Sequence, residues 1–104
     1  MAFTNQRTLS KAASLEGTSL HTGEQVVVTL KPAPVDYGIK FKRVDLPDEP
    51  TIDAKIEFVK QVERATTLGE GNVKVHTVEH VLSALHGMGV DNAVVELNGN
   101  EPPI

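Results

Sequence analysis

The chain has one segment with the apolar spacing of an amphipathic helix, and its other apolar segments alternate as β-strands do. The helical segment carries its apolar side chains at i, i+3, i+4 and i+7, namely Val78, Val81, Leu82 and Leu85. Residues 25–31 instead alternate with period two, and Pro32 lacks the amide that a central strand would need to continue. One helix among several strands predicts an α+β fold, in which a mainly antiparallel sheet carries the helix on one face as a two-layer sandwich.

Period-two alternation and turn residues predict where the strands lie. We expect them at residues 8–15, 25–31, 39–42, 66–68, 73–75 and 93–97. Gly17 is expected to end the first strand, and the glycine-containing loop 69–72 predicts that residues 66–68 and 73–75 form a hairpin. Ile56 and Phe58 alternate with charged neighbours, which suggests a further strand within a small β elaboration at about residues 45–65.

The ends of the helix have their own sequence signals. Thr77 is predicted to be the N-cap, because a threonine hydroxyl can accept a hydrogen bond from an unpaired first-turn amide. Gly87 is predicted to adopt the left-handed conformation that often ends a helix. His86 then lies near the helix C-terminus, where a cation is favoured, and is interpreted as structural.

Composition limits the kind of protein this can be. A chain of 104 residues with 39% hydrophobic and 23% charged residues fits one ordinary globular domain. The net charge of −4 argues against nucleic acid as a partner. The absence of cysteine excludes disulfides and thiolate zinc sites, and is compatible with the cytosol. We predict no signal peptide and no transmembrane segment, because no apolar run is long enough.

The stretch from His76 to His80 is the densest in chemically active groups. It matches the pattern H-x-x-E-H, in which two histidines one helical turn apart hold zinc and the glutamate handles protons. That interpretation needs a third ligand, for which Asp91, Glu96 and Glu101 are available. Alternatively, His80 alone binds the metal and Glu79 is the base, or Glu79 only favours the helix N-terminus and His80 is a surface residue.

Several stretches together resemble one enzyme family. They are residues 75–85 with 89–97, and, in the same order along the chain as in the family, residues 6–9, 20–23, 30–34, 66–68 and 101–104. The family is UDP-3-O-acyl-N-acetylglucosamine deacetylase, the zinc amidase of lipid A biosynthesis in the bacterial cytoplasm. The resemblance covers essentially the whole chain, and it implies a domain of ribosomal-protein-like α+β type.

The resemblance implies roles for particular residues. Glu79 corresponds to the general base and His80 to a zinc ligand, whereas the position of His76 has no ligand role in the family. His21 lies in a stretch near the family's active site, and Thr66 and Thr67 lie in a segment that lines the acyl entrance, so these three are expected to bind substrate. The implied cofactor is Zn²⁺, and the implied substrate is a UDP-linked acylated glucosamine.

The resemblance also implies that residues 1–104 are an incomplete N-terminal domain. The family's two other zinc ligands, in an H-x-x-x-D motif, belong to a C-terminal catalytic half that this sequence lacks. We therefore expect a fragment that binds zinc weakly and is inactive alone, with the C-terminal half as its partner. The alternative is a free-standing, noncatalytic interaction module with the same α+β fold.

Overall fold

A computed structural model of the chain describes residues 6–19, 23–54, 59–61, 67–70, 73–76 and 78–103. These residues form eight strands and one helix. In chain order they are β1 (Ala13–Thr18), β2 (Gln25–Pro32), β3 (Ile39–Arg43), β4 (Thr51–Asp53), β5 (Val59–Gln61), β6 (Thr67–Glu70), β7 (Val73–Val75), α1 (Glu79–Gly87) and β8 (Ala93–Leu97).

The strands form two sheets. The larger sheet has five strands in the order β1-β2-β8-β3-β4, and the smaller has three in the order β5-β6-β7. In the larger sheet β3 pairs in parallel with β8, while the remaining neighbours are antiparallel. The prediction of a mainly antiparallel sheet with one helix is therefore confirmed for the described residues. The likeness to ribosomal-protein-like domains remains a prediction.

One face of the larger sheet carries the core. A row of aligned residues crosses four strands of that sheet: Leu30, Val95, Phe41 and Ile52. Val78 and Leu85 of the helical segment and Leu68 and Val75 of the smaller sheet belong to the same buried cluster. The helix and the smaller sheet thus cover the same face. The predicted apolar stripe is confirmed, since Val81 and Leu82 also pack against this cluster.

The first strand differs from the prediction at both ends. It begins at Ala13, and Gly17 lies inside it, paired with Val26. As an edge strand, β1 needs only the β2 ladder, so a glycine is tolerated there. The strand ends where the chain turns, because the Ser19 amide donates to the Glu24 carbonyl at 2.9 Å. Thr8, which was predicted to begin the strand, instead forms an isolated β-bridge with Asn92.

The predicted helix is confirmed, but both predicted caps are wrong. Val78 is the N-cap residue and makes no side-chain capping bond, and Thr77 lies outside the described residues. At the other end Gly87 is the last helical residue, and the left-handed residue is Gly89, with φ of 72°. The Val90 amide donates to the Leu85 carbonyl and the Gly89 amide to the His86 carbonyl, which is the bonding of a Schellman cap.

The small β elaboration predicted at about residues 45–65 contains two described strands, β4 and β5, which belong to different sheets. β4 is an edge strand of the larger sheet, whereas β5 pairs with β6 in the smaller one. The alternation at Ile56 and Phe58 lies outside the described residues. The predicted hairpin is confirmed, since Leu68 pairs with Val75 and Glu70 with Val73.

Within the part of the chain that the structure describes, no helix has the length and apolar character needed to cross a membrane.

Candidate functional site at the joint of β7 and α1

The backbone that leads from β7 into α1 is fixed from two sides. The carbonyl oxygen of Lys74 accepts a hydrogen bond from Nη1 of Arg43 at 2.9 Å. The amide of His76 donates to the carbonyl oxygen of Asn100 at 2.7 Å. Val75 and Val78, on either side of this turn, are fully buried. The start of the helix is therefore held by the smaller sheet, the larger sheet and the C-terminal segment together.

Glu79 and His80 are the first two residues of the helix. Glu79 is half-buried and His80 is exposed. Neither belongs to the buried stripe, and because successive residues on a helix point about 100° apart, they face different directions around one helix end. The first-turn amides lack partners within the helix and carry the positive end of its dipole, which favours a carboxylate at Glu79.

His80 borders an open groove between the helix and the first two strands. The groove has a volume of about 270 Å³, and its walls are mostly apolar: Leu15, Glu16, Val28, Leu30, Val81, Ala84 and Pro103. His80 is therefore an imidazole at the rim of a cleft, within reach of a molecule that enters it.

His76 lies before the helix, not on it. It is half-buried, and its backbone follows β7 directly. Two histidines on one helical face, as the paired zinc-binding pattern requires, are thus not present here. The H-x-x-E-H interpretation is wrong for this geometry, and a zinc role for His76 loses its support.

The described residues do not form a complete metal site. No group of three or more His, Cys, Asp or Glu side chains among them could hold a metal ion. The acidic residues considered as third ligands are engaged elsewhere: a carboxylate oxygen of Glu96 lies 3.0 Å from Lys31 Nζ, Asp91 accepts the Arg7 amide, and Glu101 is buried. A catalytic zinc needs three protein ligands, and the described residues do not bring three such side chains together.

Three predicted substrate-binding residues cannot be compared with this geometry. His21 and Thr66 lie outside the described residues. Thr67 is the first residue of β6 and is paired with Gln61, and only its place in the strand is described. Their substrate roles remain predictions.

Arg43 is a residue of this site that the sequence interpretation missed. Its guanidinium donates to both carboxylate oxygens of Asp45, at 2.8 and 2.6 Å, as well as to Lys74. The hydrogen bonds from Arg43 hold the pKa of Asp45 below its ordinary value, although partial burial acts in the opposite direction. A signal was present, because Arg43 falls two residues after Phe41 on the apolar face of its strand.

Comparisons with known proteins agree with the resemblance in the sequence. Residues 6–104 match the family model described as UDP-3-O-acyl N-acetylglycosamine deacetylase, LpxC. A UDP-3-O-acyl-N-acetylglucosamine deacetylase from Myxococcus xanthus is 55% identical over 100 residues, which cover 96% of this chain and 32% of the relative. Its namesake from Pseudomonas entomophila is 52% identical over 99 residues, or 95% of this chain and 33% of the relative.

A longer relative shows the same match. The bifunctional enzyme LpxC/FabZ of Chlorobaculum tepidum is 53% identical over 100 residues, covering 96% of this chain and 21% of that protein. The chain thus spans between about a fifth and a third of the length of these curated relatives. Because the family model matches nearly the whole chain, this chain belongs to the UDP-3-O-acyl-N-acetylglucosamine deacetylase family.

Proposed function

We propose that this chain supplies the general base and one zinc ligand of a zinc-dependent deacetylase in lipid A biosynthesis. The substrate would be UDP-3-O-(3-hydroxyacyl)-N-acetylglucosamine, and the reaction the hydrolysis of its acetamide. The observation that carries the proposal is the joint itself: Glu79 and His80 stand side by side in the first turn of α1, in a chain that matches the deacetylase family over residues 6–104.

His80 is the residue of this chain that would hold zinc. Its exposure at the rim of the groove leaves the imidazole accessible to an ion. When bound, zinc would lower the pKa of a coordinated water toward about 7 and polarise the amide carbonyl. The remaining ligands would come from outside the described residues, and we propose that the C-terminal half of the enzyme provides them.

Glu79 would act as the general base. Its carboxylate would take the proton from the attacking water and pass it to the leaving amine, which produces acetate and a free glucosamine amine. Helix α1 favours this role in two ways. The positive end of the helix dipole lies at this first turn, where it favours a negatively charged side chain, and the buried Val78 fixes the direction in which the first turn projects.

The direct test is the variant Glu79→Gln in the complete protein that contains this chain. Loss of a positioned general base is expected to reduce kcat by about 10²–10⁴-fold without unfolding the protein. Glu49→Gln is the matched control, because Glu49 is exposed and pairs with Lys42 away from the joint. A Glu79→Gln enzyme that keeps most of its activity would overturn the assignment.

The zinc role is tested separately by metal content. His80→Ala should reduce the zinc bound to the purified protein, measured by atomic emission, to well below one ion per chain. His86→Ala, which changes another exposed histidine of the same helix, should leave the zinc content unchanged. Equal zinc in both variants would remove His80 from the ligand set. Deacetylation by residues 1–104 alone would show that no C-terminal half is needed.

A further inference from the structure

We infer that Arg43, held by Asp45, is a positioning residue that fixes the first turn of α1 and with it Glu79 and His80. The inference rests on the proposed function only for its effect on catalysis. Arg43 acts on these two residues through the backbone of β7, where it holds the Lys74 carbonyl.

The guanidinium of Arg43 is oriented by Asp45. Nε and Nη2 donate to the two carboxylate oxygens in a bidentate pair, and this leaves Nη1 directed at the Lys74 carbonyl. A planar guanidinium with one edge fixed has little rotational freedom, so the third bond has a defined direction. Asp45 therefore sets where the Lys74 carbonyl is held.

The contact joins the two sheets. Arg43 ends β3 in the larger sheet, whereas Lys74 is the middle residue of β7, an edge strand of the smaller sheet. An edge strand has backbone groups that no neighbouring strand satisfies, and Arg43 satisfies one of them. The arginine is also largely buried, with 11% of its side chain exposed, so solvent screens this bond little.

The distance along the chain from the held carbonyl to the reacting residues is short. Glu79 follows Lys74 by five positions, and the His76 amide between them is held by the Asn100 carbonyl at 2.7 Å. Arg43 and Asn100 thus hold the entering backbone at two points. A displacement of about 1 Å at a reacting group can reduce the rate about 10²-fold, so loss of the Arg43 bond should be visible in catalysis.

The test compares three variants of the complete protein. Arg43→Met keeps a long side chain and removes all three hydrogen bonds, and Arg43→Lys keeps the charge and can restore one donor toward Lys74. Lys42→Met is the matched control on the same strand, because Lys42 pairs with the exposed Glu49 at 3.3 Å. Each variant is first shown to be folded at the assay temperature by circular dichroism.

The expected kinetic result is a fall in kcat of about 10–100-fold for Arg43→Met with KM changed less than about threefold. Arg43→Lys should recover part of that loss, and Lys42→Met should behave as the unaltered protein. The inference would be overturned if the loss of activity in Arg43→Met were fully explained by the fraction of that variant that is unfolded. An equal loss of activity in Lys42→Met would also overturn it. If Arg43→Met does not fold, Arg43→Lys alone decides, and an unchanged kcat would count against a positioning role.

A second readout does not depend on deacetylase activity. Amide hydrogen exchange at His76 should be at least about tenfold faster in Arg43→Met than in Lys42→Met, because the backbone that leads from β7 into α1 would break its bond to Asn100 more often. Faster exchange without any deacetylation by the unaltered protein would support the positioning role and count against the proposed function. Unchanged exchange at His76 would contradict the positioning role whatever the activity.

Discussion

The two halves of the core-bearing sheet face are covered very differently. Over β8, β3 and β4 the face is closed by the helix and the smaller sheet, and Phe41, Ile52 and Val95 are at most 1% exposed. Over β1 the same face is open, and Leu15 is 66% exposed. Leu15 nevertheless lies in one row with buried residues, because it pairs with Val28, which pairs with Leu97.

The difference separates stability from accessibility. The closed half is where apolar area is removed from water, so it contributes most of the hydrophobic free energy of folding. The open half contains the groove, and His80 lies at the boundary between the two. A side chain at such a boundary has a rigid support on one side and an approachable surface on the other, which a reactive site requires. Three substitutions test this division, and a fourth, Asp45→Asn, tests the charged pair that holds the support of the joint.

Phe41→Ala should have the largest effect. Phe41 is fully buried in the middle of the closed half, and removing its ring should leave a cavity that lowers the free energy of unfolding by about 3–5 kcal/mol. Urea unfolding followed by circular dichroism measures the change. A loss below about 1 kcal/mol would show that the closed half is not the main core.

Leu85→Ala should follow closely. Leu85 is 1% exposed on the buried stripe of α1, and its truncation should cost about 2–5 kcal/mol. The same urea unfolding experiment measures the change in the free energy of unfolding. If Leu85→Ala were neutral, the helix would not be packed on the sheet as described.

Asp45→Asn should have an intermediate effect that depends on pH. The pKa of Asp45 lies below its ordinary value of 3.8 in the folded state, so the unfolded state binds the proton more tightly. The stabilisation is therefore present above about pH 4 and is lost as the pH falls through the lowered pKa. At pH 7 the variant should lose about 1–2 kcal/mol, because Arg43 loses its charged partner.

The measurement for Asp45→Asn is the urea midpoint at several pH values between 2.5 and 7. The difference between the variant and the unaltered chain should begin to shrink below about pH 4 and should be smallest below the lowered pKa of Asp45, where the carboxyl is protonated in both folded and unfolded states. A difference that is constant over this range would mean that the charge of Asp45 contributes nothing.

Leu15→Ala should have the smallest effect and is the matched control for Leu85→Ala. The residue type and the substitution are the same, but Leu15 is mostly exposed, so the free energy of unfolding should change by no more than about 0.5 kcal/mol. Under the same urea conditions, a loss comparable to that of Leu85→Ala would abolish the distinction between the two halves.

The sequence predicted much of this architecture because the relevant signals are local. Period-two alternation located β2 and β8, and the i, i+3, i+4, i+7 pattern located α1 with its buried stripe. The order of the strands and the position of β1 at an edge depend on contacts between distant segments, for which no local pattern exists. The prediction that Gly17 ends the first strand was wrong for this reason. Gly17 stays in β1 because it pairs with Val26 of the neighbouring strand β2, a long-range contact that the local sequence does not show.

The candidate site was predicted in part for a related reason. Glu79 and His80 are adjacent in the sequence, so their shared position at a helix start follows from the helix alone. The cap at Gly89 was missed because the sequence offers two glycines, Gly87 and Gly89, and does not show which of them is left-handed. That depends on which backbone amides after the helix bond to its last carbonyls. Arg43 was missed because its partner carbonyl at Lys74 is 31 residues away in the chain.

The place of β8 in the sheet also determines when the protein can fold during synthesis. β1 pairs with β2 and β3 with β4, and each pair is complete early in the chain, but β8 joins the two pairs and is made after the seven other described strands. Two-stranded pairs are only marginally stable by themselves. The nascent chain therefore carries α1, with Glu79 and His80, before the central strand that completes its support has left the ribosome.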